Sequence, residues 1–230
     1  MALGLALSGC RPGTRIELHY LPDFVAGSQN VFRPVKIAVP PTTGSVYSGN
    51  YQVGTIYSAD GTVQTQLVVA DADGTFNKAL LKGLADAGPV PVALDSNPAD
   101  GKPPGGSDYI ITSELEQIEV NKRFEARQTI HGQYFTMKAV VRVRFELRNR
   151  DGAMLYSGEI SGIENEPPSP VGAEVFLPLE TEPAESLSVA LSRAVGLLMI
   201  QPKFREALPI RAAEATPAST PTPASQSPHH

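Results

Sequence analysis

The sequence predicts an α+β domain, a two-layer sandwich in which a mainly antiparallel sheet carries two helices on one face. Short apolar segments with strand character recur along the chain, and the residues from Phe135 to Leu147 alternate between apolar and charged. Two other segments place apolar residues at helical spacing, ending near Gly88 and Pro202. An amphipathic sheet and amphipathic helices bury their apolar sides against one another, which favours two packed layers.

The composition indicates one folded, acidic domain. The chain has 230 residues, 41% of them apolar, with a formal net charge of −5 and a single cysteine. That length favours one folded domain once the tail described below is set aside. An acidic chain has no electrostatic footprint for nucleic acid. No apolar run approaches the roughly 18 residues that cross a bilayer, so we expect no membrane-spanning segment.

The first half begins with extended segments. Ile16–Tyr20 alternates and could form a strand, and Val35–Val39 is the first clear strand prediction. Pro40 ends it, because proline cannot continue the hydrogen-bonded ladder. Residues 42–62 are rich in Gly, Ser and Tyr, which indicates either a long loop or a loose hairpin.

A helix is predicted next, from a capping position at Asp73 to a left-handed cap at Gly88. Its apolar residues recur every four positions, at Phe76, Leu80 and Leu84. Pro89–Leu94 then predicts a short strand, and residues 95–107 have the composition of a loop.

The second half predicts an antiparallel meander. Asp108–Leu115 begins a strand that continues to Val120 through a bulge, and Phe135–Leu147 is the clearest strand of the chain. Asn149–Gly152 predicts a hairpin turn, since Asp-Gly suits positive φ. The returning strand should place three residues on the buried side: Met154, Tyr156 and Ile160. Residues 164–183 are rich in Pro and Glu and predict a loop.

The last predicted element is a long helix that Pro202 ends. One side of it is apolar, at Leu187, Ala190, Leu191, Ala194, Val195, Leu198 and Met199. The remainder, residues 209–230, is rich in Ala, Thr, Pro and Ser and should be disordered, because it cannot bury enough apolar surface. It ends in two histidines that are either native or added, and such a terminal pair is no designed metal site.

The N-terminal tetrapeptide Leu7-Ser8-Gly9-Cys10 resembles the lipobox of bacterial lipoproteins. In that motif an aliphatic residue and two small residues precede the cysteine, so that a signal peptidase can cleave before it and the thiol can take a diacylglycerol. A lone cysteine forms no internal disulfide and no thiolate zinc cage. We therefore expect lipid on Cys10, with several acyl chains giving stable anchoring.

The predicted organisation follows from that cysteine. Residues 1–9 are a signal peptide, 10–34 a lipidated tether with the first extended segment, and 35–208 the α+β domain. The leader is short and has no basic residue, so either the natural start codon lies upstream or the sequence is truncated.

No catalytic or metal-binding constellation is indicated, and we expect neither an enzyme nor a cofactor. His19 lies in an alternating segment and His131 beside a glycine in a hairpin loop, where ordinary surface roles are expected. Asp71 and Asp73 are similar to the start of a calcium loop, but its twelfth position is Lys82, where a bidentate glutamate is required. The two acids are better interpreted as a helix N-terminal pair.

A basic stripe is the one surface feature in the sequence that indicates a possible binding role. It consists of Lys138, Arg142, Arg144 and Arg148 on the polar side of the clearest strand. Two interpretations remain open: the solvated side of an amphipathic strand, or a docking face for an acidic partner or lipid headgroups.

The layout from residue 7 to about 200 resembles the YajG-type periplasmic lipoproteins. The resemblance rests on the lipobox, Val35–Val39, the helix Phe76–Gly88, the strand at Asp108 and the Val140–Leu147 strand with its turn and final helix. More loosely, it is similar to envelope lipoproteins with domains like those of the CsgG, TolB N-terminal and LpoB proteins. The resemblance implies a non-enzymatic envelope role and supplies no catalytic residues.

The expected function is that of a lipid-anchored, non-enzymatic binding or assembly module of the bacterial envelope. Its partners should be the membrane, through Cys10, and other envelope proteins; the oligomeric state stays open. By resemblance to enterobacterial sorting, Arg11 after the cysteine favours the periplasmic side of the outer membrane over the inner membrane. The alternative is an auxiliary lipoprotein of an ABC-type or lipid-trafficking system that handles an apolar ligand.

Overall fold

A computed structural model describes residues 13–22, 31–44, 51–126, 133–170 and 181–210. In this part of the chain nine strands form one mixed sheet and three helices accompany it. In chain order the elements are β1 Thr14–Arg15, β2 Lys36–Val39, β3 Thr43–Gly44, β4 Tyr51–Tyr57, β5 Val63–Val69, α1 Ala72–Ala87, β6 Val90–Ala93, β7 Tyr109–Ala126, β8 Gln133–Asn149, β9 Met154–Pro170, α2 Thr181–Ile200 and α3 Pro202–Ala207.

Strand β7 is the centre of the sheet. One of its edges pairs along its length with β8, which pairs in turn with β9, and both pairings are antiparallel. The other edge is shared: the first half of β7 pairs with β2 and β3, and the second half pairs with β4. Beyond these, β6 pairs with β2, β5 with β4, and β1 with β5.

The prediction of a mainly antiparallel sheet needs correction, because five of these pairings are parallel: β1–β5, β2–β6, β2–β7, β3–β7 and β4–β7. Parallel neighbours require a crossover connection, and helix α1 lies in the connection between β2 and β6. The sheet is therefore antiparallel in its long β7–β9 meander and mixed elsewhere. The α+β class itself is confirmed.

Both main helices pack on the same face of the sheet, as predicted. The ring of Phe76 in α1 lies 6.0 Å from that of Phe145 in β8. Helix α2 packs on the same face against Gly162 of β9, opposite Val141 in the register. The apolar residues predicted for α2 are all buried in the shared core.

The ends of helix α1 follow from two local features. The side chain of Asp71 accepts a hydrogen bond from the backbone N–H of Gly74 at 2.9 Å, so the N-cap lies two residues before the predicted Asp73. Gly88 adopts φ 116° and confirms the predicted left-handed cap. Between these caps all three predicted apolar positions are buried.

The packed domain begins earlier than residue 35. Ile16 and Leu18 are buried, and β1 pairs with β5. Phe32 is buried too, with its ring in edge contact with Phe204 of α3 at 5.9 Å. Residues that the sequence analysis placed in the tether thus belong to the core.

Residues 42–62 contain a hairpin, which was one of the two predicted alternatives. Strand β4 turns through Ser58–Thr62, where the hydroxyl of Ser58 donates to Asp60 at 2.6 Å, and returns as β5. Strand β5 carries a mixture of polar and apolar residues on both sides, and its pattern did not predict a strand.

The β8–β9 hairpin confirms the predicted turn, with Gly152 at φ 86°. Tyr156 and Ile160 are buried as predicted, but Met154 is 42% exposed. The register shifts between Leu147 and Arg148, and this irregularity accounts for Met154 leaving the buried side. Strand β9 also continues to Pro170, so the loop predicted from residue 164 is wrong over its first part.

Helix α2 corrects the expectation that no segment could span a bilayer. The stretch Glu182–Ile200 is long and apolar enough by length and composition alone. However, 72% of that window is buried inside the domain. This burial is typical of the core helix of a folded domain.

Candidate functional site

The face of the β7–β9 meander that points away from the helices is polar. On β8, Lys138, Arg142 and Arg144 alternate with buried residues such as Val141 and Val143. Arg148 lies further along β8 at the same alternating position and therefore on the same face. The alternation predicted for this strand is confirmed, and the four basic residues lie on one face.

Two of the arginines are neutralised by acidic residues on the strands beside them. The Nε of Arg142 lies 3.1 Å from the carboxylate of Glu159 on β9. Arg144 forms an ion pair with Glu116 on β7 and lies 3.6 Å from Glu114. Each pair is solvent-exposed and contributes roughly 0–1 kcal/mol to stability. Their main effect here is to balance the charge of the face.

The remaining two members of the stripe differ from each other. Arg148 lies 3.0 Å from Glu146, two residues earlier on its own strand. Lys138 has no ion pair with any side chain that the structure describes. The stripe is therefore a row of balanced pairs that ends in one uncompensated lysine.

That lysine borders a concave site of about 460 Å³ at the end of the sheet where β4 and β7 finish. Tyr57 closes β4 and lies opposite Arg123 in parallel register. Lys138 lies opposite Asn121 on one side and Asn165 on the other. The lining residues are Tyr57, Asn121, Arg123, Thr136, Met137, Lys138, Asn165 and Glu166.

The lining is rich in hydrogen-bond donors. The guanidinium carbon of Arg123 lies 5.4 Å from the centre of the Tyr57 ring, a cation–π contact. No ion pair of Arg123 is present among the described side chains. Two carboxylates lie near: Glu119 accepts from the amide of Asn121, and Glu166 accepts from Ser186 of α2 at 2.9 Å.

A buried charge cluster lies on the opposite face of the same sheet end. Lys122 is 4% exposed and forms an ion pair with Glu182 at the start of α2. Its ammonium also lies 4.3 Å from the centre of the Phe135 ring. Burial raises the pKa of Glu166, and the hydrogen bond from Ser186 partly offsets that effect. These groups tie α2 to the sheet.

A second concave site lies between the N-terminal segment and helix α2. It measures about 420 Å³ and includes apolar side chains, Ile16, Leu21 and Ala184. His19 is exposed beside it, and its backbone N–H donates to the hydroxyl of Ser188 at 3.1 Å.

The described residues contain no group of three or more His, Cys, Asp or Glu side chains that could hold a metal ion. Asp71 caps helix α1, and burial followed by the charge of Asp71 raises the pKa of Asp73. Cys10 with the lipobox residues, His131 and the terminal histidines lie outside the described residues.

Sequence reasoning missed most of the polar site. It brought forward Lys138 only as part of the stripe and did not single out Tyr57, Asn121, Arg123 or Asn165. With Lys138 these residues come from four strands, and the register of the sheet alone brings them together. The sequence shows Arg123 near the end of β7 and Lys138 near the start of β8, but nothing local marks the two as neighbours.

Comparison with protein-family models and with curated proteins gives no match. Among solved structures, the chain is similar to a DUF330 protein from Xanthomonas campestris, with 12% identity, TM-score 0.48, and coverage of 82% of this chain and 92% of that one. It is also similar to lipoprotein GNA1162 from Neisseria meningitidis, with 15% identity, TM-score 0.31, and coverage of 58% and 85%.

A third similar structure is a minor lipoprotein from Acinetobacter baumannii, with 9% identity, TM-score 0.34, and coverage of 72% of this chain and 100% of that one. Bacterial lipoproteins are thus among the structures to which this chain is similar. At such identities and TM-scores, these likenesses specify neither a family nor a function for it.

Proposed function

We propose that this chain is a lipid-anchored lipoprotein of the bacterial envelope, held on the periplasmic side of the outer membrane, that acts as a non-enzymatic binding module. The observation that carries the proposal is the tetrapeptide Leu7–Cys10, which has the residue types of a lipobox and contains the only cysteine of the chain. Two or more acyl chains on one cysteine give stable anchoring, whereas one gives marginal binding.

The fold is compatible with close anchoring. Only two residues separate Cys10 from Gly13, and a methyl group added at Gly13 would lie 2.7 Å from the side chain of Val68 in β5. Three residue steps span at most about 11 Å when fully extended. A lipid on Cys10 would therefore hold the β1–β5 edge of the sheet close to the bilayer surface.

The anchor is tested by metabolic labelling with a radioactive fatty acid in a bacterial host. The full chain, expressed from an extended start if one is present upstream, should take up label, and the Cys10→Ala variant should not. A Ser8→Ala variant keeps a small residue at that position and serves as the matched control that should still label. Equal labelling of the Cys10→Ala variant would overturn the anchor.

The binding module is tested on the outer face of the meander. Arg142→Glu with Arg144→Glu replaces two balanced pairs by clusters of like charge, since Glu159 and Glu116 stay in place. Crosslinked partners recovered with the anchored protein should be lost. Arg150→Glu is the control, because Arg150 is also exposed and pairs with an acidic residue, Asp108. Unchanged partners in the double variant would exclude this face.

The alternative function, handling of an apolar ligand in a transport or lipid-trafficking system, is favoured by one observation. The site between residues 15–21 and helix α2 has an apolar wall of Ile16, Leu21 and Ala184. Native mass spectrometry of the chain purified from membranes should then show bound lipid that Ala184→Tyr displaces. Protein free of lipid would count against this function.

A further inference from the structure

We infer that the concave site around Arg123 and Lys138 binds the phosphate group of an anionic headgroup. The inference deepens the proposed function and rests on it for the source of the ligand, which we assign to the membrane that holds the anchor. The phosphate chemistry itself depends only on the described residues. Three features of the molecule support it: charge, donor geometry and placement.

The charge of the site differs from that of the rest of its face. The three arginines of the stripe each have a carboxylate partner, at 3.0–3.1 Å for Arg142 and Arg148. Arg123 and Lys138 have no such partner among the described side chains, although the chain carries a net charge of −5. Two uncompensated cations on one concave surface raise the local concentration of anions.

The geometry of the donors fits an oxyanion. The guanidinium of Arg123 is held beside the Tyr57 ring, and a guanidinium can donate two parallel hydrogen bonds to a phosphate. Lys138 contributes an ammonium from the neighbouring strand. The hydroxyl of Thr136 and the amide of Asn165 line the same site and suit the glycerol or sugar hydroxyls of a headgroup.

The acidic neighbours leave the phosphate position open. Glu166 is the one carboxylate among the residues that line the site, and its side chain accepts a hydrogen bond from Ser186 of α2, on the face opposite Arg123 and Lys138; Glu119 does not line the site. A volume of about 460 Å³ admits a headgroup and its phosphate. The wall is polar apart from Met137 and the Tyr57 ring, which argues against an acyl chain as the occupant.

The placement of the site points to the membrane. Strand β1 runs parallel to β5, with Thr14 opposite Leu67, and β5 is antiparallel to β4. Going backwards from Thr14, the chain is therefore directed towards the end of the sheet where Tyr57 lies. The site lies roughly 10 Å along the strands from Thr14; across them, with strand spacings of about 4.8 Å, Arg123 on β7 is about 14 Å away and Lys138 on β8 about 19 Å away. An anchor on Cys10 would bring this end of the sheet to the headgroup layer.

The experiment uses the full chain with Cys10→Ala, so that binding is measured without the anchor. Titration with sn-glycerol 3-phosphate, followed by NMR of the side-chain N–H groups, should show saturable binding, and glycerol alone should show none. Arg123→Gln and Lys138→Gln should each weaken binding about tenfold or more, the value expected for losing a hydrogen bond to a charged group. Arg150→Gln, just beyond the far end of β8 from Lys138, should change it less than about twofold, because Arg150 does not line the site.

Sedimentation with vesicles identifies the source of the phosphate. Preferential binding to phosphatidylglycerol over phosphatidylcholine vesicles, lost in the Arg123→Gln and Lys138→Gln variants, supports a lipid headgroup. Binding of glycerol phosphate without vesicle preference supports the same site with a soluble phosphate ester as its ligand. Absence of saturable binding, or equal weakening by Arg150→Gln, overturns the site. Because the anchor is removed throughout, failed fatty-acid labelling and a failed phosphate site are separate results.

Discussion

The contact between helix α2 and Gly162 of β9 gives the sharpest stability prediction. A methyl group added at Gly162 would lie 1.9 Å from the carbonyl oxygen of Ala190 and 2.6 Å from the backbone nitrogen of Ala194. Both obstacles are backbone atoms of α2, so no side-chain rotation relieves them. Strand β9 cannot retreat either, because Gly162 is paired with Val141 of β8. The helix must move away by about 1 Å to restore a contact of 3.0 Å.

Such a displacement removes roughly a quarter to a half of the van der Waals attraction between each pair of contacting atoms of α2 and the sheet. Helix α2 supplies fully buried side chains to the core, including Leu187, Leu191 and Leu198. We therefore expect Gly162→Ala to lower the free energy of unfolding by about 3 kcal/mol, the upper part of the range for overpacked cores. For a domain of this size the melting temperature should fall by about 6–12 °C.

Urea denaturation followed by circular dichroism measures this change. Gly105→Ala is the matched control, because Gly105 lies in a loop with no atom within 4 Å of the added methyl group. The control should unfold within about 0.5 kcal/mol of the unsubstituted chain. If Gly162→Ala unfolds at the same urea concentration as Gly105→Ala, then α2 does not rest on the backbone of β9 and the packing argument fails.

Three further predictions concern buried groups and a helix cap. Lys122→Ala should cost about 3 kcal/mol because it leaves Glu182 without its cation, and Lys122→Met with Glu182→Gln should recover most of the loss in urea titrations. Burial raises the pKa of Glu166, so the folded state holds its proton more tightly than the unfolded chain does. The protonated Glu166 therefore contributes to the free energy of unfolding below the pKa that it has in the unfolded chain, and this contribution is lost as pH rises through its folded pKa. The urea midpoint of the unsubstituted chain should fall over that pH range, and the midpoint of Glu166→Gln should lack this fall. Gly88→Ala places a side chain at positive φ, and its methyl group would lie 2.4 Å from the carbonyl oxygen of Phe32. Gly101→Ala also has positive φ, but its methyl group meets no atom within 4 Å, so the melting temperature should fall further for Gly88→Ala.

The parts of the fold that sequence could predict are those with local causes. The alternation in β8 fixes one buried and one solvated side, and the turn at Asn149–Gly152 follows from the positive φ of Gly152. The left-handed cap at Gly88 and the apolar side of α2 are local in the same sense. Each depends on residues that are close in the chain, so a pattern in the sequence records it.

The strand partners have no such local cause. Strand β2 pairs in parallel with β6 and with β7, at sequence separations of more than fifty residues. Strand β5 is bordered by two neighbours and carries polar residues on both sides, which obscures its period. The prediction of a mainly antiparallel sheet therefore failed where pairing joins distant segments.

The same limit applies to the candidate site. The charges along β8 could be read from the sequence, but the glutamates that balance Arg142 and Arg144 come from β9 and β7. Whether a cation is compensated depends on which residue lies opposite it. Arg123 and Lys138 became candidates only because the register places no acidic partner beside them.

One residue, Glu116, sets which charges of β7 reach that site. It is the extra residue of the bulge, since Leu115 pairs with Val143 and Gln117 with the adjacent Arg142. Before the bulge Ile111, Ser113 and Leu115 are buried; after it Ile118, Val120 and Lys122 are, and Arg123 faces outward. Inserting one alanine between Gln117 and Ile118 would shift the rest of the strand by one residue against β8 and send every later side chain to the opposite face.

That shift would bury the guanidinium of Arg123 in the core and expose Val120, while separating Lys122 from Glu182. We expect the insertion to cost more than about 5 kcal/mol, measured by urea unfolding, because it combines a buried unpaired charge with the loss of core packing. Glu116→Ala keeps the bulge and removes only the ion pair with Arg144, so it should cost less than about 1 kcal/mol. Equal stability of the insertion and the substitution would mean that the strand tolerates either register, and that the outward position of Arg123 does not depend on the single extra residue at the bulge.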